Sequence, residues 1–515
     1  MPRFISSLPI KSLRLPRCAN GLAISLAALS LVADRAAAQS EDIANAAFNA
    51  WTSEYVVRSG GQTYFANSVT NRSYQGTWGG AMSVEVAEDA YVRTPSAANL
   101  QLVKDLTTTY LQQNNFDWST DPWNDDIAWM SRMCIRGYQI TGNVALKNQA
   151  ISAWNMTYNR GYNTTYGGGI WELMTTAQNG TGSKSALATL PMVIEGCILY
   201  QVTGDSTYLT KSQSLYAWAR NNIFNASTGQ VNEGINSSGL EVSDNVYNSG
   251  IFVNAANSLH NLTGQASYYN DALLASDHVV NHLTGSGQPI LTIRIRGSFW
   301  GGEFGRGLAN FCRDNNLWDR YYSWMVLNAA SAWSIRRTDL NISWDEWATQ
   351  TPTDDSAIME TMGAPDFQMV MPRRFEVETL TVPNYSGPDY RVFSESDLSA
   401  GAGVMLDSTA IGNYVTFLLP SVAAQKYDVR VGVKKWGNRG QVQMAIGQAG
   451  NNSPTNTGAV QDLYSANAQI VELDLGNWTP GTSGDKWVRF TITGKNANST
   501  DFGASFDYIL LEPVK

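Results

Sequence analysis

The chain has 515 residues, with 35 Lys and Arg against 44 Asp and Glu, and only 15% of its residues are charged, well below the roughly 25% usual for globular domains. An acidic chain without basic clusters makes a poor partner for nucleic acid or for an anionic membrane surface. Asn, Ser, Thr, Gly, Tyr and Trp supply the polar groups instead, which suits neutral, hydroxyl-rich ligands, and the length allows two or three domains.

Residues 1–38 read as an export signal. Arg3, Lys11, Arg14 and Arg17 precede the apolar stretch Leu22 to Val32, and Ala36-Ala37-Ala38 offers small residues for cleavage. That stretch is too short to span a bilayer, so a secreted, extracellular protein is expected. Twelve Asn-x-Ser/Thr triplets, among them Asn71, Asn155, Asn163 and Asn261, are candidate glycosylation sites; an Asn- and Ser/Thr-rich chain also generates such triplets by chance. With Cys18 in the signal, Cys134, Cys197 and Cys312 allow one disulfide at most, with the pair undecided. His260, His278 and His282 stand beside no nucleophile motif and no zinc-type spacing.

From Ser40 to about Thr349 a repeat organises the chain. Tyr138-Gln-Ile-Thr-Gly-Asn143 recurs as Tyr200-Gln-Val-Thr-Gly-Asp205 and more loosely as His260-Asn-Leu-Thr-Gly-Gln265. Each copy follows an apolar helical segment and precedes an amphipathic one. The glycine reads as a left-handed helix stop, and Asn143 or Asp205 as the cap of the next helix. Helical hairpins at this spacing predict about ten to twelve helices over residues 40–349. A closed toroid is favoured over an open array because it buries every helix without special end caps.

Residues 350–374, rich in Pro, Thr, Asp and Met, read as a linker, with Asp354-Asp355 as a helix start. From Phe375 the periodicity changes to short alternating runs: Tyr414 to Leu419, Tyr427 to Val433, Val442 to Ile446, Trp487 to Thr493 and Phe506 to Leu511. These predict an antiparallel β-sandwich over residues 375–515.

The segment Asp121-Pro-Trp-Asn-Asp-Asp-Ile-Ala-Trp-Met130 fits a helix start, with Pro122 in the first turn, Asn124 as the cap and Asp125 and Asp126 at the positive end of the dipole. Two adjacent carboxylates repel each other, which separates their proton affinities and equips one as acid and the other as nucleophile. Glycosidic bond cleavage needs such a pair. Trp123 and Trp129 offer flat faces for sugar rings. The competing reading is ordinary capping by acids at a helix start.

This stretch resembles glycoside hydrolase family 76, the α-1,6-mannanases and related cell-wall enzymes, whose hallmark is a Trp-x-Asp-Asp pair. Gly167-Gly-Gly-Ile-Trp171 resembles the family's glycine-rich loop, Lys184 with Pro191 its Lys-to-Pro stretch, Tyr200 to Asp205 its Tyr-x-x-Thr-Gly-Asp hairpin, and Tyr247-Asn-Ser-Gly250 its Tyr-Asn-Gln-Gly motif. Over residues 40–345 the resemblance implies an (α/α)6 barrel. It implies a retaining mechanism with Asp125 as nucleophile and Asp126 as acid/base, and no catalytic cofactor. Trp123, Trp129, Gly168, Gly169, Trp171, Tyr247 and Asn248 would line the substrate cleft. The chain departs from the family pattern at Glu172, where a second tryptophan is usual, at Thr189, where Asn is common, and in Phe299-Trp-Gly-Gly-Glu-Phe-Gly-Arg306, which lacks an expected lysine. Glu172 and Glu303 are further candidate pocket carboxylates.

The C-terminal segment resembles carbohydrate-binding modules of families 6 and 35. Phe375-Glu-Val-Glu378 matches their opening strand and Phe506-Asp-Tyr-Ile-Leu-Leu-Glu512 their closing one. That implies a jelly-roll sandwich and a structural calcium held by Glu376, Glu378 and Asp507; two solvent-facing acids on an edge strand are the alternative. Trp436, Trp478 and Tyr385 are candidate sugar platforms. The expected protein is a multidomain, monomeric endo-α-1,6-mannanase acting on α-mannan or a related cell-wall glycan. A transglycosylase and a non-catalytic carbohydrate-binding protein on the same scaffold are the alternatives, and neither nucleic acid nor membrane is an expected partner.

Overall fold

Each Thr-Gly pair of the repeat ends a helix. Gly142, Gly204 and Gly264 take left-handed conformations with φ of 69°, 75° and 69°, and their N–H groups return to the carbonyls of Tyr138, Tyr200 and His260. Asn143 and Asp205 then start the next helix, their side chains accepting from the N–H groups of Ala145 and Thr207 at 3.0 and 2.9 Å. Local chemistry therefore sets the alternation of helix, sharp stop and returning helix.

The structure is a computed structural model that describes residues 41–174, 182–283 and 300–515. Among these residues the helices that build the barrel are α1 (Glu41–Tyr55), α2 (Thr77–Arg93), α3 (Ala97–Gln113), α4 (Asn124–Thr141), α5 (Val144–Gly161), α6 (Ala186–Thr203), α7 (Ser206–Asn222), α8 (Val246–Thr263), α9 (Ala266–His282), α10 (Trp300–Asn315), α11 (Trp318–Ser334) and α12 (Gly363–Met369), with one further turn of helix at Ile358–Thr361. The even-numbered helices form a closed inner ring in which α2 packs on α4, α4 on α6, α6 on α8, α8 on α10, α10 on α12 and α12 back on α2. The odd-numbered helices lie outside it, giving the (α/α)6 barrel. Helix α6 is long and apolar enough to cross a membrane by length and composition, yet 67% of its apolar window is buried, because it is a wall of this ring.

Glycine allows the closest approach in the ring. A Cβ on Gly250 of α8 would lie 2.6 Å from the Phe304 Cα of α10, and one on Gly307 would lie 2.3 Å from the Gly250 carbonyl. The ring interior is not purely apolar. Arg132 on α4 reaches Glu85 on α2 and Glu303 on α10, and Arg306 on α10 reaches Asp89 on α2 and Asp366 on α12. Four inner helices are thus tied together by buried guanidinium–carboxylate pairs.

Residues 350–374 do not form the expected linker. Ile358, Met362, Phe367 and Met369 are buried, and α12 is the sixth stave of the ring. Asp355 starts no helix either; it accepts from the Ser68 hydroxyl at 2.9 Å and the Thr70 N–H at 2.8 Å, fastening a loop. Cys134, Cys197 and Cys312 are free and buried, so the described residues hold no disulfide.

The second domain is an antiparallel two-sheet sandwich. Its strands are β6 (Arg373–Glu376), β7 (Asn384–Ser386), β8 (Asp389–Ser394), β9 (Ala402–Asp407), β10 (Tyr414–Val422), β11 (Tyr427–Lys435), β12 (Gly440–Gln448), β13 (Thr455–Asn456), β14 (Gln461–Asp462), β15 (Gln469–Trp478), β16 (Gly484–Lys495) and β17 (Ala504–Pro513); β1 (Val56–Ser59), β2 (Gln62–Phe65), β3 (Lys184–Ser185), β4 (Gly234–Asn236) and β5 (Gly239–Glu241) belong to small sheets of the barrel domain. One sheet runs β15-β11-β17-β9-β8 with β6 beside β17, the other β13-β12-β16-β10-β7 with β14 beside β12. Alternate residues such as Val429, Val431 and Val433 face a core with Phe417, Phe490 and Phe506. The sandwich docks on the barrel through polar contacts. Arg373 holds Glu41 of α1 at 2.8 Å and the Ser421 carbonyl at 2.7 Å, and the Trp318 indole donates to the Pro513 carbonyl at 2.8 Å.

Candidate active site

Helix α4 begins one residue earlier than a cap at Asn124 would place it. Trp123 occupies the cap position with no side-chain cap, because Asn124 is committed elsewhere. Its backbone N–H donates to the Glu172 carbonyl at 2.7 Å, and its amide nitrogen to the Trp171 carbonyl at 2.7 Å. The Arg160 guanidinium donates to its amide oxygen at 2.6 Å. Trp123 also bridges to Leu173. The first turn of α4, which carries Asp125 and Asp126, is therefore stitched to residues 171–173.

Both carboxyls are partly exposed and hold protons far above the usual carboxylate range. Burial raises Asp125 most, followed by the charges of Asp126 and Glu172. Asp126 is pushed up to about 7 by burial, then by Asp121 and Glu172. Glu172 is itself raised, by burial and by Glu233 and Glu241. The Asp125 Oδ1 is buried with no hydrogen-bond partner. Such a pair holds at least one proton to give near neutral pH.

Glu233 and Glu241 stand close enough to Glu172 to raise its carboxyl, and no motif pointed to them. Glu233 Oε2 accepts from the Tyr247 hydroxyl at 2.8 Å, the Asn245 amide at 2.8 Å and the Asn248 amide at 3.0 Å. Glu241 accepts from Ser183 and, at 2.7 Å, from Asn236. Tyr247 and Asn248, expected to line the cleft, are 7% and 0% exposed; they orient Glu233.

The glycine loop packs against Trp218 of α7. Gly168 and Gly169 are buried, and a Cβ on Gly169 would lie 2.6 Å from the Trp218 ring. Trp171, expected to line the cleft, and Trp129, expected as a stacking face, are 0% and 1% exposed. Trp129 sits in the core with Arg132 4.6 Å above its ring, and Trp171 has Lys184 at 5.2 Å, so neither offers a face to a sugar. Trp123, at 41% exposure, does. Glu303 is likewise no pocket carboxylate: it is fully buried and paired with Arg132 and Arg306. Phe299 lies outside the described residues.

In the sandwich the acid trio divides. The Arg374 guanidinium lies 3.2 Å from Glu376 Oε1, which also accepts from Ser399 at 2.9 Å. Glu378 and Asp507 are each raised to about 7, chiefly by burial, and each keeps one buried oxygen without a hydrogen-bond partner. Two orphan acceptors suit a hard cation. Among the described residues no three His, Cys, Asp or Glu side chains are grouped as a metal-holding set.

The three aromatic platforms do not converge either. Trp478 stacks on Tyr427 at 6.0 Å, at the start of β11, whereas Trp436 follows its end; Tyr385 pairs with Tyr390 at 4.8 Å. Trp436, 45% exposed, borders a cavity of about 370 Å³ with Arg391, Asp407, Asn438 and Asp501.

Residues 36–364 match glycosyl hydrolase family 76. No curated protein matches the chain. Among solved structures, an α-1,6-mannanase of Salegentibacter sp. HEL1_6 is 21% identical with a TM-score of 0.56, over 66% of this chain and 98% of that one. An inactive variant of that enzyme, with two consecutive aspartates changed to asparagine, is in complex with α-1,6-mannotriose. A family 76 mannosidase of Bacteroides thetaiotaomicron VPI-5482 is 18% identical with a TM-score of 0.55, over 66% of this chain and 97% of that one. A protein of Listeria innocua is 21% identical with a TM-score of 0.55, over 64% and 95%.

Proposed function

The chain belongs to glycosyl hydrolase family 76, and from that premise we propose that it is a secreted, retaining endo-α-1,6-mannanase whose reaction centre is Asp125 and Asp126. The adjacent carboxyls at the start of α4, both raised by burial and by their acidic neighbours, carry this reading. Asp126, near 7, is suited to protonate the departing glycosidic oxygen and then to take a proton from water. Asp125 would attack the anomeric carbon as its ionised carboxylate, the role the family pattern implies for it. The paired substitution that inactivates the Salegentibacter mannanase supports the same pair.

Product analysis on a panel of α-mannans and other glycans tests this, with the anomer of the first product followed by NMR. Release of α-configured mannooligosaccharides from α-1,6-mannan is expected. An inverted first product would overturn the retaining assignment, and cleavage of other glycans alone would overturn the mannan. In Asp125→Asn and Asp126→Asn, turnover is expected to fall by roughly 10²–10⁴-fold with the fold intact. Near-normal turnover in either removes that residue from the reaction.

For the sandwich we propose polysaccharide binding at Trp436 and a calcium held by Glu378 and Asp507 with backbone oxygens. Calcium added to the chelator-treated full chain is expected to raise its Tm near pH 8, where both carboxyls are ionised, and to do so less near pH 5. A Tm unmoved at either pH would overturn the calcium.

A further inference from the structure

Lys184 is 0% exposed, an unusual place for an ammonium group. Its Nζ donates to the carbonyl of Asn163 at 2.6 Å, of Gly168 at 2.7 Å and of Gly169 at 3.2 Å. An ammonium has three N–H donors, and three main-chain oxygens take them. The rings of Trp171 and Tyr162 stand 5.2 and 6.0 Å from it and close the cage.

The backbone bends specially to bring those oxygens together. Tyr166, Gly167, Gly168 and Gly169 have successive φ values of 54°, 81°, 129° and 76°. A tyrosine and three glycines in the left-handed half of the map do not hold such a turn by their own preference. A buried cation satisfied only by carbonyls supplies a reason for the turn to stay closed.

The turn leads directly to the carboxyl pair. Ile170 donates to Thr189 Oγ1 at 3.0 Å. Trp171 bridges to Lys184 itself, and Glu172 donates to the Ser183 carbonyl at 3.0 Å. The carbonyls of Trp171 and Glu172 then receive the two hydrogen bonds of Asn124, the residue immediately before Asp125. One ammonium, one turn and one asparagine thus connect Lys184 to the start of α4.

We propose that Lys184 is a positioning residue for the reaction centre: by gathering three carbonyls of the glycine turn, it sets where Asn124 sits and hence the reach of Asp125 and Asp126. The proposal rests on the reading of that pair as the reaction centre. Lys184 touches no substrate; it acts through the backbone.

The test uses the full chain with Lys184→Met, which keeps the length of the side chain, and Lys184→Ala, which opens a hole. Hydrogen exchange is expected to speed up at residues 163–172 in both variants while α7 and α9 keep their protection; unchanged exchange would overturn the proposal. Against mannan, kcat is expected to fall roughly 100-fold with KM changed by about threefold or less, the pattern of misplaced catalytic groups. Ethylammonium is expected to restore about tenfold of the lost kcat in Lys184→Ala, and ethanol, similar in size but uncharged, to restore none. Normal kcat in Lys184→Met, or equal rescue by ethanol, would also overturn it. If the unaltered chain cleaves no glycan, the reading of Asp125 and Asp126 fails, while the exchange result still decides whether Lys184 holds the turn.

Discussion

Arg132 and Glu303 face each other across the barrel as a two-pronged ion pair, with Nη1 to Oε1 at 2.6 Å and Nη2 to Oε2 at 2.8 Å. Burial alone would raise the Glu303 carboxyl, and the guanidiniums of Arg132 and Arg306 more than reverse it, holding it below the usual range. A carboxylate so committed serves the ring and not the sugar. Arg132→Met leaves Glu85 and Glu303 buried with one cation fewer, and breaking a buried pair from one side costs about 3–5 kcal/mol. A lowered denaturant midpoint with an unchanged slope is expected. A loss under about 1 kcal/mol would show that the pair holds little.

The same network contains more acids than arginines. Glu85, Glu88, Asp89, Glu303 and Asp366 surround Arg132, Arg136 and Arg306. Glu88, whose two oxygens lack hydrogen-bond partners, is raised well above its ordinary value, chiefly by burial. An acid whose folded pKa is raised binds its proton more tightly in the folded state, so it costs nothing below its unfolded value and destabilises progressively as pH rises. Glu88→Gln is therefore expected to match the parent protein near pH 4 and to exceed its Tm by roughly 3 °C near pH 8. A gap that does not grow with pH would contradict a protonated Glu88.

Asp126 offers a kinetic counterpart. With its carboxyl near 7, kcat/KM falls above neutral pH as the acid form is lost. Glu172 is one of the charges raising it, so Glu172→Gln stabilises the ionised form of Asp126 and moves the alkaline limb downward by roughly half a unit to one unit. A limb that stays in place would mean that another group controls it.

Binding by the sandwich is separable from catalysis. Trp436 lies on an exposed loop with Lys434 4.7 Å beneath its ring. Trp436→Ala is expected to weaken retention on insoluble polysaccharide by about tenfold, in line with one aromatic platform worth roughly 1–2 kcal/mol, while kcat on short oligosaccharides stays unchanged. Equal retention would move the binding face elsewhere.

What local chemistry dictates was readable in the chain. The Thr-Gly stops, the caps at Asn143 and Asp205, and the placement of Asp125 and Asp126 at a helix start follow from near neighbours. What depends on distant packing was not. Trp129 and Trp123 lie in the same short segment, yet one is buried and one exposed, because only the first faces the ring. Glu233 and Glu241 sit in a stretch without periodicity and gain a role through Tyr247 and Ser183, which only folding brings near. Helix α12 escaped notice because its seven residues contain Pro365 and open with Gly363, a composition that reads as irregular chain.

That short helix has a consequence for the order of assembly during synthesis. The ring closes only when α12 meets α2, and α12 is made last, after all five other staves. A nascent chain halted at the end of α11 would be an open horseshoe, with the apolar flanks of α2 and α10 facing solvent. Seated between the barrel and the first strand of the sandwich, α12 makes closure of one domain and anchoring of the next nearly a single event. A shortened form cut near Thr349 would therefore be expected to aggregate, while one continued past Met371 keeps the sixth stave.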